Sequence, residues 1–158
     1  MNQRLQDPSG TLSPRGYPLD AFLLGHLSMS RATVEQFMTR TPHTIGQDGS
    51  LAAAHRLMRE HGIRHLPVVE AGKLVGIVSQ RDLHLIETLS FVDPEKVPVS
   101  DAMTEDVEVV EPTALLREVA AGMAEKKIGS VVVMKGAWVV GIFTTVDALR
   151  ALAVLLDE

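Results

Sequence analysis

The sequence predicts one α/β (α+β) domain built from two β-α-β-β-α repeats, and two observations support this. Residues 34–86 align without a gap to residues 99–151, at a constant offset of 65 positions. Within each copy, β-rich runs alternate with segments of helical hydrophobic spacing. Two copies of one unit indicate a pseudo-two-fold axis, two small packed sheets with helices outside, and a seam where ligands tend to bind. The pairs that recur unchanged include Val34/Val99, Met38/Met103, Leu51/Leu116, Met58/Met123, Gly76/Gly141 and Asp82/Asp147.

The composition excludes several classes of protein. The net charge is −5, and the sequence has no basic stretch interleaved with aromatic residues. It therefore lacks the features of a nucleic-acid-binding surface. The absence of cysteine excludes disulfides and cysteine-based metal sites. The apolar run Leu19–Met29 is interrupted by Asp20 and His26, so it is neither a membrane span nor a good signal peptide. We therefore expect a cytoplasmic protein without a membrane partner.

The chain divides into four parts. Residues 1–33 are predicted to be a partly disordered N-terminal extension, in which 19–27 could form a short helix or strand. Repeat 1 covers 34–89 and repeat 2 covers 99–156. The linker 90–98 contains the breakers Asp93-Pro94 and Val97-Pro98.

Each repeat has the same predicted order of elements. In repeat 1, Asp48 or Ser50 caps the first helix and Gly62 ends it. In repeat 2, Pro112 and Thr113 open the corresponding helix. The remaining predicted elements are helical turns ending at Met38-Thr39 and Met103-Thr104, extended stretches over 41–45 and 107–110, hairpins over 66–78 and 131–143, and closing helices over 80–89 and 145–156.

The last helix is apolar on nearly all sides. Between residues 146 and 156 only Asp147 and Arg150 are charged. A helix of this kind is buried on more than one face, so one face covers its own sheet and the other needs a partner. An isologous homodimer through the closing helices is the expected solution.

The most distinctive local pattern is Gly-Ile-Val-Ser-Gln-Arg-Asp-Leu at 76–83, echoed as Gly-Ile-Phe-Thr-Thr-Val-Asp-Ala at 141–148. A strand runs into a hydroxyl residue, and a carboxylate follows three positions later at a helix start. This spacing is that of a capping box. It also suits a ligand site, because a carboxylate can hold a vicinal diol and a helix N-terminus favours phosphate. Both interpretations stay open, since capping leaves spare acceptor sites on the carboxylate.

These motifs make the chain recognisable. The segments Val34–Thr39, Gly62–Val69 and Gly76–Leu83, with their counterparts one repeat on, resemble the CBS-domain family in its tandem arrangement, often called a Bateman module. The resemblance covers roughly residues 33–156. It implies a non-catalytic regulatory module that binds AMP, ADP, ATP or S-adenosylmethionine between the repeats, requires no other cofactor, and signals to a protein effector in trans.

The resemblance also implies roles for individual residues. Asp82 and Asp147 correspond to ribose-binding aspartates. The phosphate and hydroxyl contacts would come from Ser79, Arg64, His65, Arg81 and Thr144. The adenine side would be formed by Thr41, Pro42, Ile63, Pro67 and Ile128.

Repeat 2 departs from this pattern, because Gly129 and Ser130 stand in place of Arg64 and His65. We therefore expect a site centred on Arg64, His65, Ser79 and Asp82 to favour phosphorylated ligands. The site around Thr144 and Asp147 would be weaker, empty or suited to a nucleoside. In this family one pocket can also draw residues from both repeats. The alternative function is a structural or interaction module whose degenerate pockets bind no nucleotide.

No residue spacing indicates a catalytic constellation, so no enzymatic activity is expected. His55, His61 and His65 suggest a metal only weakly. Gly62 interrupts the helix between His61 and His65, and no third ligand is evident from the sequence. Surface histidines without a metal are the expectation.

Overall fold

The structure is a computed structural model that describes residues 31–156. The predictions for residues 1–30 lie outside the described residues. The predicted β-α-β-β-α order is confirmed in both repeats, as β2-α1-β3-β4-α2 and β5-α3-β6-β7-α4. The strands are β1 Thr39–Arg40, β2 Ile45–Gly46, β3 His65–Glu70, β4 Lys73–Ser79, β5 Val109–Val110, β6 Ser130–Lys135 and β7 Trp138–Thr144. The helices are α1 Leu51–His61, α2 Gln80–Glu87, α3 Leu116–Lys126 and α4 Thr145–Leu155, with 3-10 turns at Val34–Gln36 and Val99–Asp101.

The strands form two small sheets. One has the order β2-β3-β4, and the other has the order β1-β7-β6-β5. In each sheet a parallel pair precedes an antiparallel hairpin. Strand β1 joins the sheet of repeat 2 by pairing Thr39 with Ile142, and the bridge between Thr104 and Ile77 is its counterpart in repeat 1. The pseudo-two-fold arrangement therefore extends to individual backbone pairs.

The two repeats exchange their leading segments, defined as residues 32–40 and 97–105. The Val34 amide donates to the Ala114 carbonyl at 2.9 Å, and the Val99 amide donates to the Gly49 carbonyl at 2.7 Å. Both valines are fully buried. Val34 packs in the core of repeat 2 and Val99 in the core of repeat 1, so neither core is complete without the other repeat.

The hydrophobic core has two halves that follow this exchange. Each half combines the inner face of one hairpin, the apolar stripe of the helix before it, one residue of the closing helix, and one or two residues from the leading segment of the other repeat. The core of repeat 1 contains Ile45, Leu51, Ala54, Met58, Leu66, Val68, Val78, Leu83 and Val99. The core of repeat 2 contains Ala32, Val34, Leu116, Val119, Met123, Val131, Val133, Phe143 and Ala151.

The first helix of each repeat begins differently. Helix α1 is capped by Ser50, whose side chain accepts from the Ala53 amide, and it ends at Gly62 in the left-handed conformation, as predicted. The predicted start of α3 at Pro112 is wrong. Helix α3 begins at Leu116 without a side-chain cap. The carbonyls of Pro112 and Ala114 instead accept from the leading segment of repeat 1, which holds these residues outside the helix.

The predicted extended stretches are also too long. Only Ile45–Gly46 and Val109–Val110 form strands, and the 3-10 turns end at Gln36 and Asp101 rather than at the Met-Thr pairs. The intervening residues Thr39–Arg40 pair across to β7, a contact that no local pattern encodes. Helix α2 ends at Glu87, two residues before the predicted end.

The recurring glycines are explained by close packing at the exchange. A Cβ built on Gly141 would lie 2.3 Å from Met38 Sδ, and one built on Gly76 would lie 2.6 Å from Met103 Sδ. Each methionine of a leading segment therefore lies directly on a glycine of the other repeat's last strand. This contact accounts for the joint recurrence of methionine and glycine in the duplicated sequence.

We predict that Gly141→Ala lowers the free energy of unfolding by about 1–3 kcal/mol, because the added methyl group displaces Met38 from its contact with β7. The matched control is Gly122→Ala in α3, where a Cβ meets nothing within 4 Å. That change should raise the free energy of unfolding by about 0.5–1 kcal/mol through helix propensity. Urea unfolding of both variants measures the difference. Equal stability changes of the same sign would contradict this packing role.

Candidate functional site

A cleft of about 250 Å³ lies where the exchanged segment of repeat 1 meets β7 and α4 of repeat 2. We call it the basic cleft. Strand β1 brings residues 39–43 to one wall, the loop after α1 supplies a second wall, and the first turn of α4 forms its floor. Its lining residues are Thr39, Arg40, Thr41, Pro42, His43, Gly62, Ile63, Arg64, His65, Ile142, Thr144, Thr145, Val146, Asp147 and Arg150.

Asp147 is the only buried charged residue among those that the structure describes, at 2% exposure. Its Oδ2 accepts from the Thr144 amide at 2.9 Å and from the Thr144 hydroxyl at 2.8 Å. Its Oδ1 accepts from the Thr39 hydroxyl at 3.3 Å and from Arg150 at 3.1 Å. The capping interpretation is thus confirmed, and the carboxylate is oriented by both repeats at the floor of the cleft.

Three arginines line the basic cleft against the single carboxylate of Asp147. Arg40 is the last residue of strand β1, Arg64 lies in the loop after α1, and Arg150 lies in the second turn of α4. The side chain of Arg150 is 64% exposed. The cleft therefore carries positive charge on a chain whose net charge is −5, and it opens beside the N-terminus of α4, where backbone amides favour anions.

His65, the first residue of β3, also lines this cleft. Burial, together with the neighbouring Arg64 guanidinium, lowers the pKa of His65, and Asp82 opposes this with a weaker upward effect. A Cβ on Gly129 would lie 3.2 Å from His65 Nε2, so Gly129 leaves the space that the imidazole occupies. His65 is consequently neutral near pH 7 and offers hydrogen bonding rather than positive charge.

Thr41 has a left-handed backbone, with φ of 46°. A β-branched residue with positive φ is a true outlier and stores roughly 1–3 kcal/mol of strain. Its counterpart Asp106 has no such conformation. The Thr41 amide donates to the Val140 carbonyl at 3.2 Å, which fixes the strained residue to repeat 2 at the wall of the cleft.

The comparison with protein families decides the identity of this arrangement. The model of the CBS domain matches residues 34–85 and again residues 99–154. The chain belongs to the CBS-domain family. It is a CBS pair, and a CBS pair is in general a regulatory, non-catalytic module.

Relatives support the same assignment for the fold. A protein assigned to acetoin utilization (AcuB) from Vibrio cholerae has a TM-score of 0.72 and 41% identity, covering 80% of this chain and 93% of that one. The CBS-domain pair of protein MJ0100, solved in complex with 5′-methylthioadenosine and S-adenosyl-L-methionine, has a TM-score of 0.71 and 28% identity, covering 77% and 96%.

A curated relative is inosine-5′-monophosphate dehydrogenase of Korarchaeum cryptofilum, 37% identical over 124 residues. The match covers 77% of this chain and 25% of the dehydrogenase. A homoserine O-acetyltransferase of Methanocorpusculum labreanum is matched over 24% of its length. The CBS pair thus spans about a quarter of the length of these two enzymes. In the described part of the chain, no helix combines the length and apolar character required to cross a bilayer.

The basic cleft of this CBS pair brings together only part of the predicted site residues. Arg64 and His65 line it together with Thr144. His65 also lies next to its predicted partners, because it pairs with Ser79 across β3 and β4 and Asp82 acts on its pKa. The predicted residues that line this cleft are Thr41, Pro42, Ile63, Arg64, His65, Thr144 and Asp147. Those that do not are Ser79, Arg81, Asp82, Pro67 and Ile128, the last of which lies at a separate groove beside α3 and α4.

Pro67 and Asp82 are two of the predicted residues outside the lining of the basic cleft. Pro67 is buried within β3, opposite Ile77. Asp82 caps α2 as Asp147 caps α4, through Ser79 at 2.9 and 2.6 Å. By the pseudo-two-fold symmetry, a second cleft would lie beside Asp82. The counterparts of Arg40 and Thr41 there are Glu105 and Asp106, which would make it more acidic than the basic cleft.

Sequence reasoning missed Arg40, His43 and Arg150 as parts of the cleft. Arg150 had a usable signal, because it lies three positions after Asp147 on the same helix face. Arg40 and His43 had none, since their place depends on the β1–β7 pair. His61, considered for a metal together with His65, instead stacks on His43 with ring centroids 3.6 Å apart.

We predict that the lowered pKa of His65 makes the CBS pair less stable in acid. The unfolded chain binds the proton more readily than the folded one, so stability falls as the pH drops below the unperturbed value of about 6.5 and levels off below the folded pKa. Urea unfolding between pH 7.5 and 5 should show a smaller loss in His65→Gln than in the wild type. Identical pH dependence in the two proteins would refute this effect.

Proposed function

We propose that this CBS pair is a regulatory sensor that binds a phosphorylated adenine nucleotide in the basic cleft and signals to a partner protein in trans. The observation that carries the proposal is the combination of one buried, oriented carboxylate with three arginines in a single cavity. Solved CBS pairs with adenosine-containing ligands support the class of ligand.

Asp147 is the proposed ribose contact. A vicinal diol donates two hydrogen bonds to one carboxylate, as in dinucleotide folds. Oδ2 is held by Thr144, whereas the Oδ1 contact with Arg150 is made by a largely exposed side chain. Arg150 can therefore leave Oδ1 to the ribose and turn toward a phosphate. Thr144 keeps the carboxylate oriented while this exchange occurs.

The charge of the cleft favours a nucleotide over S-adenosylmethionine. The sulfonium of S-adenosylmethionine would lie among arginines, whereas phosphates would form charge-assisted hydrogen bonds with them. The apolar wall formed by Pro42 and Ile63 suits the adenine ring. The cleft volume is just below the range of about 300–1,000 Å³ that is usual for small-molecule sites. The phosphates would accordingly lie at the mouth, beside Arg40, Arg64 and Arg150.

The signal would arise because both repeats build the cleft. A ligand that contacts Arg64 of repeat 1 and Asp147 of repeat 2 favours one angle between the repeats. Such a shift is regulatory only if a partner distinguishes the two angles. We propose that this partner is a separate protein effector.

The second candidate is an interaction module that binds no nucleotide. The acidic residues Glu105 and Asp106 at the second cleft favour it, since they would repel phosphates there. It differs from the sensor in one measurable respect. An interaction module would keep its fold and assembly state unchanged when adenine nucleotides are added.

We predict that calorimetric titration finds one saturable site for AMP, ADP or ATP, and weaker binding of S-adenosylmethionine. Asp147→Asn should abolish nucleotide binding. Asp82→Asn is the matched control, because it removes the equivalent capping carboxylate outside the basic cleft and should leave nucleotide affinity intact. Arg64→Ala should weaken nucleotides roughly tenfold to a hundredfold and leave adenosine nearly unchanged, from the loss of a charge-assisted bond.

These titrations distinguish the nucleotide sensor from the interaction module. A folded wild type that binds none of the ligands favours the interaction module. Loss of binding in Asp82→Asn instead of Asp147→Asn would move the ligand to the second cleft. Circular dichroism of each variant checks that the fold is retained.

We further propose that the CBS pair forms a homodimer through α4. In the described residues, Leu149 is 64% exposed and Leu152 is 50% exposed, although Ala151 between them is buried. They line an apolar groove of about 770 Å³ between α3 and α4. An apolar area of this kind marks an interaction site, and an isologous dimer is the simplest occupant.

We predict that Leu149→Glu shifts the sedimentation of the protein from dimer to monomer without unfolding it, because it places a charge at the centre of the groove. Trp138→Glu is the control. Trp138 is similarly exposed, at 69%, but lies at the start of β7. A wild type that sediments as a monomer, or equal effects of the two substitutions, would refute this interface.

A further inference from the structure

Three side chains with metal-binding chemistry meet on the outer face of repeat 1, away from the basic cleft. His55 lies on α1, and His84 and Glu87 lie on one face of α2, three positions apart. One ligand atom from each lies within 4.8 Å of the others. Within residues 31–156 no other group of three such side chains comes this close.

The hydrogen bonding of His55 leaves one nitrogen unused. Its Nδ1 lies 2.8 Å from Glu87 Oε1, and the two side chains are only 20% and 23% exposed. Its Nε2 is buried and, among the described residues, is the one such side-chain atom without a hydrogen-bond partner. A neutral imidazole that donates through Nδ1 presents a free lone pair at Nε2. The nitrogen that can share a metal with Glu87 is nevertheless Nδ1, because Nε2 lies on the other edge of the ring.

The equivalent helix pair of repeat 2 shows which residues the fold itself requires on the outer face of α1 and α2. The positions equivalent to His55, His84 and Glu87 in repeat 2 are Ala120, Leu149 and Leu152. Those three residues line the apolar groove between α3 and α4. The fold thus packs this helix pair with aliphatic side chains in one repeat. The two histidines and the glutamate in the other are not required by the architecture.

We propose that His55, His84 and Glu87 form a binding site for a divalent transition metal of the zinc class. Two imidazoles and one carboxylate are a donor set that zinc, cobalt and nickel accept, whereas calcium and magnesium prefer all-oxygen sets. Three protein ligands leave a fourth position open to water or to a further ligand.

The three ligand atoms need only side-chain movements to reach a common metal ion. Metal–ligand distances near 2.1 Å imply ligand atoms roughly 3.3 Å apart in a tetrahedral site. His84 lies on the exposed side of α2, and its ring meets that of His55 edge-on, at 5.1 Å between centroids. A metal shared with Glu87 would take the place of the proton on His55 Nδ1, the nitrogen that faces the carboxylate, and the remaining proton would lie on Nε2. A rotation of the His84 side chain would then bring the third ligand to the metal while the backbone of α1 and α2 stays in place. A bound metal would link these two helices.

The test uses the full chain, stripped of metal by dialysis against a chelator. Zinc is titrated by calorimetry, and cobalt is added separately because tetrahedral Co²⁺ has a strong visible absorption. We expect one saturable zinc site per chain. His84→Asn and Glu87→Gln should each weaken zinc at least tenfold and remove the cobalt band. His61→Asn, which changes an exposed histidine at the end of α1, should do neither.

Three results would overturn the proposal. These are a folded wild type without saturable zinc binding, zinc affinity unchanged in both His84→Asn and Glu87→Gln, or an equal loss in His61→Asn. His84 is exposed and Glu87→Gln is isosteric, so both variants should remain folded, which circular dichroism checks. AMP titration of the same variants provides an independent readout, because neither residue lines the basic cleft.

Discussion

The reciprocal exchange of leading segments is the constraint on which the rest of the structure depends. Val34 and Val99 each complete the core of the opposite repeat, and their amides are bonded to carbonyls of that repeat. Because these contacts are buried and hydrogen-bonded, the two halves cannot separate without opening both cores. The exchange therefore holds the repeats together as one unit, in which a single cleft is built from both.

The exchange also determines which residues meet. Strand β1 carries Arg40 and Thr41 across to β7, so the carboxylate they face is Asp147 and not Asp82. Two capping boxes with nearly the same geometry therefore have different surroundings. One lies beside arginines, and the other lies near Glu105 and Asp106 by symmetry. Local structure is duplicated, whereas the electrostatic environment is not.

Much of the fold could be predicted from the sequence, because the signals for it are local. The helical stripe of α1, its Ser50 cap, its Gly62 end and both hairpins follow from propensity and spacing. The errors have a common physical cause. Pro112 lies outside α3, and Thr39–Arg40 forms a strand, because each bonds to the other repeat. Asp147 was predicted as a site residue. The place of Arg40 and His43 beside it depends on the pairing of β1 with β7, which are far apart in sequence, and no local pattern encodes that pairing.

The contacts of Met38 with Gly141 and of Met103 with Gly76 bear on how this architecture can be assembled. In a solitary copy of the repeat, the methionine of the leading segment would have no glycine of a second repeat to pack on. The core would also lack the valine that the second repeat supplies. Such a copy could complete its core only by exchanging leading segments with a second, identical polypeptide. The present chain has the arrangement of such an interlocked pair joined in one polypeptide. Joining the copies replaces a concentration-dependent encounter by an intramolecular one, and it frees the two halves to diverge in charge.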